Sequence, residues 1–184
     1  MADFKESPSQ TAGPYVHIGL GPQMAGLEQR GLGAELGGVM ASDAAEGERI
    51  TLDLYIYDGE GALVKDALVE IWQPGPDGDF GTTDGFANWG RQLANFETGC
   101  VRFETLKPGF SIEAAPHILI WIAARGINIA LTTRVYFEDE DNSADPVFEL
   151  AGSRAGTMLA RRTNVGYRHD IYLQGERETV FLDA

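Results

Sequence analysis

The sequence predicts an all-β fold in which two β-sheets pack as a sandwich, with long loops and one or two short helices. Segments of alternating apolar and polar residues recur along the chain, as in half-buried strands. Turn residues separate these segments about every 8 to 12 positions, a spacing that is typical of sandwiches. The 23 glycines and 8 prolines also suit a fold with many turns.

The length of 184 residues suits one domain with a single core. We therefore predict a single domain over residues 1–184, with an N-terminal arm and loops over residues 1–48 and the sandwich over residues 49–184. Closely spaced prolines and a glycine predict an extended arm or loop up to residue 19. Residues 20–48 show no clean periodicity and are predicted as loop with room for one helical turn.

The first half of the predicted sandwich contains three strands, over residues 50–57, 67–72 and 100–105. The first and third alternate between apolar and polar residues. The sequence Asp58-Gly59-Glu60-Gly61 predicts a hairpin turn after the first strand. Residues 79–98 form a long polar and aromatic loop, and loops of this length in compact domains are usually functional or bound to a partner.

The second half begins with residues 117–124, which are apolar on both faces and predict a central strand. Residues 127–137 predict a long strand that follows it. Ser153 to Arg162 is the best helix candidate, with a serine cap and arginines near its end. The last predicted strands cover residues 167–173 and 178–181.

Composition limits the function. The net charge of −14 disfavours nucleic acid and anionic membranes as partners. Cys100 is the only cysteine, so no intrachain disulfide or thiolate metal cluster can form. The N-terminal residues lack the apolar segment of a secretory signal, and the apolar run from Ile118 to Ala124 is far too short to span a bilayer. We expect a cytoplasmic protein.

Histidine is the residue type that bears on metal binding. The chain has His17, His117 and His169, and no pair of them has the spacing of ligands on one helix or strand. His117 begins the apolar strand, and a histidine two residues later would share its face, but Leu119 stands there. Taken alone, His117 is predicted to be a hydrogen-bonded core residue, and His169 a solvated strand residue.

Two further residues have alternative interpretations. Arg125 ends the apolar strand and is either a rim arginine paired with a carboxylate or a guanidinium placed at a pocket for a planar carboxylate. The local sequence favours the first interpretation, because surface ion pairs are common. Tyr15 follows Gly13-Pro14, and its hydroxyl either serves a neighbouring site or anchors the arm by packing.

Six segments, in order along nearly the whole chain, resemble the family of intradiol ring-cleaving dioxygenases. Each segment is modest alone, but the set is specific. The segments are residues 9–15 (SQTAGPY), 69–73 (VEIWQ), 105–109 (TLKPG), 115–118 (APHI), 124–129 (ARGINI) and 174–181 (QGERETVF).

The resemblance implies a β-sandwich of the intradiol dioxygenase type and a non-haem ferric iron held by two tyrosinates and two imidazoles. The corresponding residues here are Phe80, Ser111, His117 and Leu119. Phenylalanine and leucine have no donor atom, and a serine hydroxyl is a poor replacement for a phenolate. Three of the four ligands are therefore missing, and the resemblance implies that Fe(III) is bound by a homologous beta subunit and not by this chain.

In such assemblies the chain without iron lines the substrate pocket of its partner. The resemblance assigns this role to Arg125 and to four residues of the arm: Thr11, Gly13, Pro14 and Tyr15. It thereby favours the second interpretation of Arg125. The implied substrates are O2 and protocatechuate (3,4-dihydroxybenzoate), whose ring carboxylate suits a guanidinium. The implied product is 3-carboxy-cis,cis-muconate, formed in the catabolism of aromatic compounds.

The leading hypothesis is therefore a subunit without iron that completes the pocket of an iron-binding beta subunit and supports a larger hetero-oligomer. An alternative is a non-catalytic β-sandwich binding module without a metal partner, since fold does not fix function. A third is a homomeric enzyme that uses other ligands. The arm from Thr11 to Tyr15 and Arg125 separate the first hypothesis from the second, because a generic sandwich needs neither.

Overall fold

The computed structural model describes residues 10–22, 37–81, 84–112 and 114–183. These residues form eight strands, two short α-helices and one 3-10 helix. In chain order the elements are α1 (Pro14–Leu20), β1 (Arg49–Tyr57), β2 (Leu68–Trp72), β3 (Trp89–Leu93), β4 (Cys100–Leu106), β5 (His117–Ala123), β6 (Leu131–Phe137), α2 (Pro146–Ala151), the 3-10 helix (Gly152–Met158), β7 (Leu159–Thr163) and β8 (Gly166–Tyr172).

The strands form one hydrogen-bonded series in the order β3-β2-β5-β6-β7-β8-β1-β4. We call β3-β2-β5-β6 the β5 half and β7-β8-β1-β4 the β1 half. Short strand β7 connects them, because it pairs parallel with β6 and antiparallel with β8. The inner faces of both halves contribute to one hydrophobic cluster. The prediction of an all-β, sandwich-like fold is confirmed.

Alternation along the strands builds this core. Every second residue of β1 is buried, and β5 buries the residues of one face completely. Burying a large aliphatic side chain stabilises a fold by about 1.5 to 3 kcal/mol, so these rows dominate the packing. Fully buried members include Leu52, Leu54, Ile56, Ile118, Ile120 and Ile122. β5 lies between β2 and β6, as the sequence predicted for a central strand.

The predicted turn after β1 forms, but it does not join β1 to β2. Asp58 Oδ1 accepts hydrogen bonds from the Glu60 and Ala62 amides at 2.9 and 2.8 Å, and Tyr57 bridges to Leu63. β1 then pairs with β4 and β8, whereas β2 pairs with β3 and β5 in the other half. The chain therefore crosses between halves directly after this turn.

The predicted helix from Ser153 to Arg162 is wrong. Helix α2 begins earlier, where Asp145 accepts hydrogen bonds from the Val147 and Phe148 amides and Pro146 occupies the first turn. Gly152 and Gly156 then lie in a 3-10 helix, and residues 159–163 are strand β7. No helix among the described residues is both long and apolar enough to cross a membrane.

Three other predictions about strands are corrected. Strand β6 begins only at Leu131, because the preceding residues form a turn in which the Ile127 amide donates to Ala124 O at 3.2 Å. The segment 178–181 is not a regular strand, although the Thr179 amide donates to Tyr172 O at 2.9 Å. The loop over 79–98 contains strand β3, which pairs with β2.

His169 is buried, so its prediction as a solvated residue is wrong. It lies in β8 on the same face as Tyr167 and Ile171, both of which belong to the core cluster. Its charged neighbours in sequence, Arg168 and Asp170, point to the opposite face. His169 Nδ1 donates to Leu159 O at 3.1 Å, which links β8 to the start of β7.

The N-terminal arm contains a helix where the sequence predicted an extended segment or loop. Gly13 is extended (φ −123°, ψ −176°), and Pro14 then begins helix α1. Proline is well suited to a first helical position because its missing N–H would have no partner there. Within residues 37–48, two isolated bridges tie Val39 to Glu104 and Ala41 to Phe86, while residues 23–36 lie outside the described part of the chain.

Candidate functional site

A cleft forms where the arm meets the end of β5. The antiparallel register of β2 and β5 pairs Leu68 with Ala123, so the residues just before β2 lie beside the turn just after β5. Helix α1 reaches this junction through His17, whose Nε2 lies 3.1 Å from Asp66 O. The resulting cleft has a volume of about 530 Å³ and is lined by Gly13, Pro14, His17, Lys65, Asp66, Phe96 and Arg125.

Three of the five predicted pocket residues therefore meet in this cleft: Gly13, Pro14 and Arg125. Thr11 does not line it but is bonded to the turn that carries Arg125. Its Oγ1 accepts a hydrogen bond from the Gly126 amide at 2.6 Å and lies 3.5 Å from Ala124 O, to which it donates. Tyr15 is 84% exposed and is also not among the lining residues.

Arg125 is exposed, and among the described residues its guanidinium makes no ion pair. Its backbone amide lies 3.4 Å from Asp66 Oδ2. The nearby Lys65 Nζ donates to Glu97 O at 3.2 Å. The chain has twice as many acidic as basic residues, so most arginines could find a carboxylate partner. Among the described residues Arg125 has none. It therefore lacks the ion pair that the local sequence favoured for it.

Four lining residues were not identified from the sequence: His17, Lys65, Asp66 and Phe96. His17 Nε2 lies 3.1 Å from Asp66 O and donates to it in the Nε2-protonated tautomer. The signal that could have identified Asp66 is the register of β2 against β5, which places it opposite Arg125. That register is a long-range property, so it was not readable from either strand alone.

The four positions at which the resemblance implies iron ligands lie on β5, in the loop between β2 and β3, and in the loop between β4 and β5. His117 is 5% exposed, and its Nδ1 donates to Ala115 O at 2.8 Å. Its ring packs against Tyr136 with centroids 5.7 Å apart. Burial lowers the pKa of His117, so it is neutral at pH 7. The prediction of a hydrogen-bonded core histidine is confirmed.

Leu119 lies on the same face of β5 as His117, opposite Arg134 on β6. Phe80 is 50% exposed in the loop after β2. Ser111 is exposed and lines a cleft of about 630 Å³ together with Asp77, Gly78, Asp79, Phe110 and Ile112. The Ser111 amide donates to Ala114 O at 3.1 Å, which closes a turn leading into β5.

These residues do not fit ferric iron. Leu119 and Phe80 carry no donor atom, and the guanidinium of Arg134 places a positive charge on the same face as His117. Tyr136, which packs against His117, donates its hydroxyl proton to Asp145 Oδ1 at 2.9 Å. Burial raises the pKa of Tyr136 far above its usual range, so it is not a tyrosinate at neutral pH.

No family model matches the chain. Its relatives are more informative. It is 43% identical over 195 aligned positions to the protocatechuate 3,4-dioxygenase alpha chain of Pseudomonas putida, which covers 97% of this chain and 96% of the relative. The chain belongs to the protocatechuate 3,4-dioxygenase alpha-chain family. A second alpha chain, from Burkholderia cepacia, is 39% identical over the full length of both chains (100% each).

The chain is also similar to a beta chain. The chain is 28% identical over 159 positions to the protocatechuate 3,4-dioxygenase beta chain of Burkholderia cepacia, over 72% of this chain and 67% of the relative.

Solved structures support the fold. An intradiol ring-cleavage dioxygenase from Tetranychus urticae has a TM-score of 0.62 at 19% identity, over 76% of this chain and 87% of that one. The dioxygenase domain of a Streptomyces fusion protein has a TM-score of 0.57 at 20% identity, over 91% and 96%.

Proposed function

We propose that this chain is the subunit without iron of a heteromeric protocatechuate 3,4-dioxygenase. It would pair with a homologous beta subunit that binds Fe(III), and the pairs would associate into a larger hetero-oligomer. The observation that carries this proposal is the 43% identity to an alpha chain over nearly the full length. The similarity to a beta chain supports a homologous partner. Ligand positions without donor atoms support placing the iron on that partner.

The proposed reaction is the opening of protocatechuate by O2 between its two hydroxyl-bearing carbons, which gives 3-carboxy-cis,cis-muconate. The partner's ferric iron would supply the oxygen chemistry. The residues of this chain would bind and orient the substrate. We also propose a cytoplasmic location, because the single cysteine, Cys100, is a free thiol, as is usual in reducing compartments.

Within this assembly, Arg125 would recognise the ring carboxylate of protocatechuate. A guanidinium presents a planar pair of donors that matches a carboxylate, and Arg125 has no ion-pair partner among the described residues. The net charge of −14 repels the anion at long range. Salt screens such fields beyond about 10 Å at 0.1 M, so the local guanidinium dominates at the pocket. Tyr15, being highly exposed, is available to a docked partner.

Purification of the chain alone and together with a beta subunit tests whether the iron is bound by the partner. We expect the purified chain alone to contain far less than one iron per chain and to show no ring-cleaving activity. Coexpression with a beta subunit should give a coloured, active complex, because tyrosinate-to-iron charge transfer absorbs visible light. Metal analysis and oxygen uptake measure both properties. One tightly bound ferric ion per isolated chain would contradict the proposal.

Replacing Arg125 tests substrate recognition. In the complex, Arg125→Ala should raise the KM for protocatechuate about tenfold to a hundredfold, as expected for charged hydrogen bonds worth about 1.5 to 3 kcal/mol. The KM for catechol, which has no carboxylate, should change much less. Arg125→Lys should restore only part of the affinity, because lysine lacks the paired donors.

A matched control is Arg154→Ala. Arg154 is also an exposed arginine, but it pairs with Glu178 at 3.2 Å, outside the cleft. Its replacement should leave both KM values unchanged. If Arg125→Ala affected protocatechuate and catechol equally, the role of Arg125 in carboxylate recognition would be wrong.

A further inference from the structure

The hydroxyl of Thr11 joins the arm to the turn that presents Arg125. Residues 124–127 form a tight turn in which the Ile127 amide donates to Ala124 O at 3.2 Å. Gly126 has φ +88°, a conformation that glycine adopts without strain, and Arg125 occupies the corner before it. Thr11 Oγ1 accepts from the Gly126 amide at 2.6 Å and donates to Ala124 O at 3.5 Å. The hydroxyl therefore contacts the residues on both sides of Arg125.

A second contact holds the same turn to the same arm. Asp66 Oδ2 lies 3.4 Å from the Arg125 amide, and Asp66 O accepts from His17 Nε2 at 3.1 Å. His17 lies in α1, six residues after Thr11. The backbone of Arg125 is thus held between two contacts that both lead back to the arm.

The chemistry of a hydroxyl limits what Thr11 can do for a substrate. A threonine hydroxyl has one proton to donate and two lone pairs that accept. In this structure the Gly126 amide takes one lone pair at 2.6 Å, and Ala124 O lies 3.5 Å away on the donor side of the hydroxyl. Thr11 is also not among the residues that line the cleft. Thr11 is therefore poorly equipped to bind the anionic group of the proposed substrate directly, although the family resemblance placed it in the pocket lining.

We propose that Thr11 is a positioning residue, which acts on substrate recognition only by fixing the turn that carries Arg125. This inference rests on the proposed function, because it assumes that Arg125 binds the ring carboxylate. Without the hydroxyl, only the contact through Asp66 and His17 would hold the turn to the arm. The backbone of the turn would then be less ordered in the free protein and would lose more entropy when Arg125 binds the carboxylate, so the affinity would fall.

The test compares Thr11→Val, which removes the hydroxyl at nearly constant shape, with Thr11→Ser, which keeps it. In the complex with the beta subunit, Thr11→Val should raise the KM for protocatechuate about threefold to tenfold, with little change for catechol. Thr11→Ser should remain near wild type. In the Arg125→Ala background, Thr11→Val should have no further effect, because both residues act through one contact.

Amide hydrogen exchange gives a readout that does not depend on activity. Exchange at Gly126 in the complex should accelerate in Thr11→Val and stay slow in Thr11→Ser and Arg125→Ala. The inference would be overturned, even if Arg125→Ala behaves as expected, by either of two results. One is a wild-type KM for protocatechuate in Thr11→Val. The other is a KM in the double variant that is raised by the product of the two single effects. An inactive wild-type complex, or an unselective Arg125→Ala, would instead refute the proposed function, while the exchange at Gly126 would still report on the Thr11 contact.

Discussion

Asp145→Ala should lower the free energy of unfolding of this chain by about 3 to 5 kcal/mol, the cost of breaking a buried charged network. The side chain of Asp145 is fully buried. Both carboxylate oxygens accept hydrogen bonds, and alanine would leave the donors without partners. The partners are Val147 N (2.9 Å), Phe148 N (3.1 Å), Tyr136 Oη (2.9 Å) and Ala115 N (3.1 Å), with Arg134 Nη1 at 3.7 Å.

The network is important because it connects three separate segments. Asp145 caps α2 and accepts hydrogen bonds from the Tyr136 hydroxyl of β6 and from the Ala115 amide, just before β5. Burial alone would raise the pKa of Asp145, but the hydrogen bonds and the charge of Arg134 outweigh it and hold the pKa below its usual range. The carboxylate is therefore ionised at neutral pH, and its loss leaves Arg134 without its counter-charge.

A matched control is Asp141→Ala, four residues earlier. Asp141 is exposed, and among the described residues its side chain hydrogen-bonds only to Ser143, at 2.7 Å to the hydroxyl and 3.1 Å to the amide. Its replacement should leave the free energy of unfolding nearly unchanged. Urea titrations of both variants measure the difference. Equal stability of Asp145→Ala and Asp141→Ala would show that the network contributes little.

Much of the fold could be predicted from local patterns, and the errors have physical causes. Alternation identified β1 and β4, because each has one face against the core, and the run that is apolar on both faces over residues 117–124 identified β5. It could not assign strands to halves, since pairing partners such as β1 and β8 are over a hundred residues apart in sequence. The predicted helix at Ser153 was wrong because the helix start signal lies earlier, at Asp145 and Pro146, and because Gly152 and Gly156 disfavour an α-helix.

The candidate site was predictable in part. The resemblance identified the arm and Arg125, and the structure brings Gly13, Pro14 and Arg125 into one cleft. The sequence could not reveal that Asp66 and His17 hold this cleft together, because their contacts depend on the β2–β5 register and on α1. It also gave no sign that Thr11 bonds the turn rather than lining the cleft. Such contacts between distant segments appear only in three dimensions.

Acidification should destabilise the chain between about pH 6.5 and pH 4 through His169. Burial lowers the pKa of His169 from 6.5 to about 4, with Nδ1 donating to Leu159 O. The unfolded chain therefore binds a proton in this window that the folded chain does not, so stability falls as the pH falls. The loss from this residue between pH 7 and pH 4.5 is about 2 kcal/mol. Buried His117, whose pKa is also lowered, adds to it in the same direction.

His169→Asn should remove this part of the pH dependence, because the asparagine amide can still donate to Leu159 O but does not titrate. Denaturant titrations at pH 7 and pH 4.5 measure the difference in unfolding free energy for each variant. Ile171→Val, on the same face of β8, is the control: it should cost about 0.5 to 1.5 kcal/mol equally at both pH values. Asp145, whose pKa is lowered, loses its contribution only below the usual carboxyl range and so does not enter the comparison. The contrary result is an unfolding free energy that falls between pH 7 and pH 4.5 by the same amount in His169→Asn as in the wild type. That result would mean that His169 accepts its proton without unfolding the strand around it.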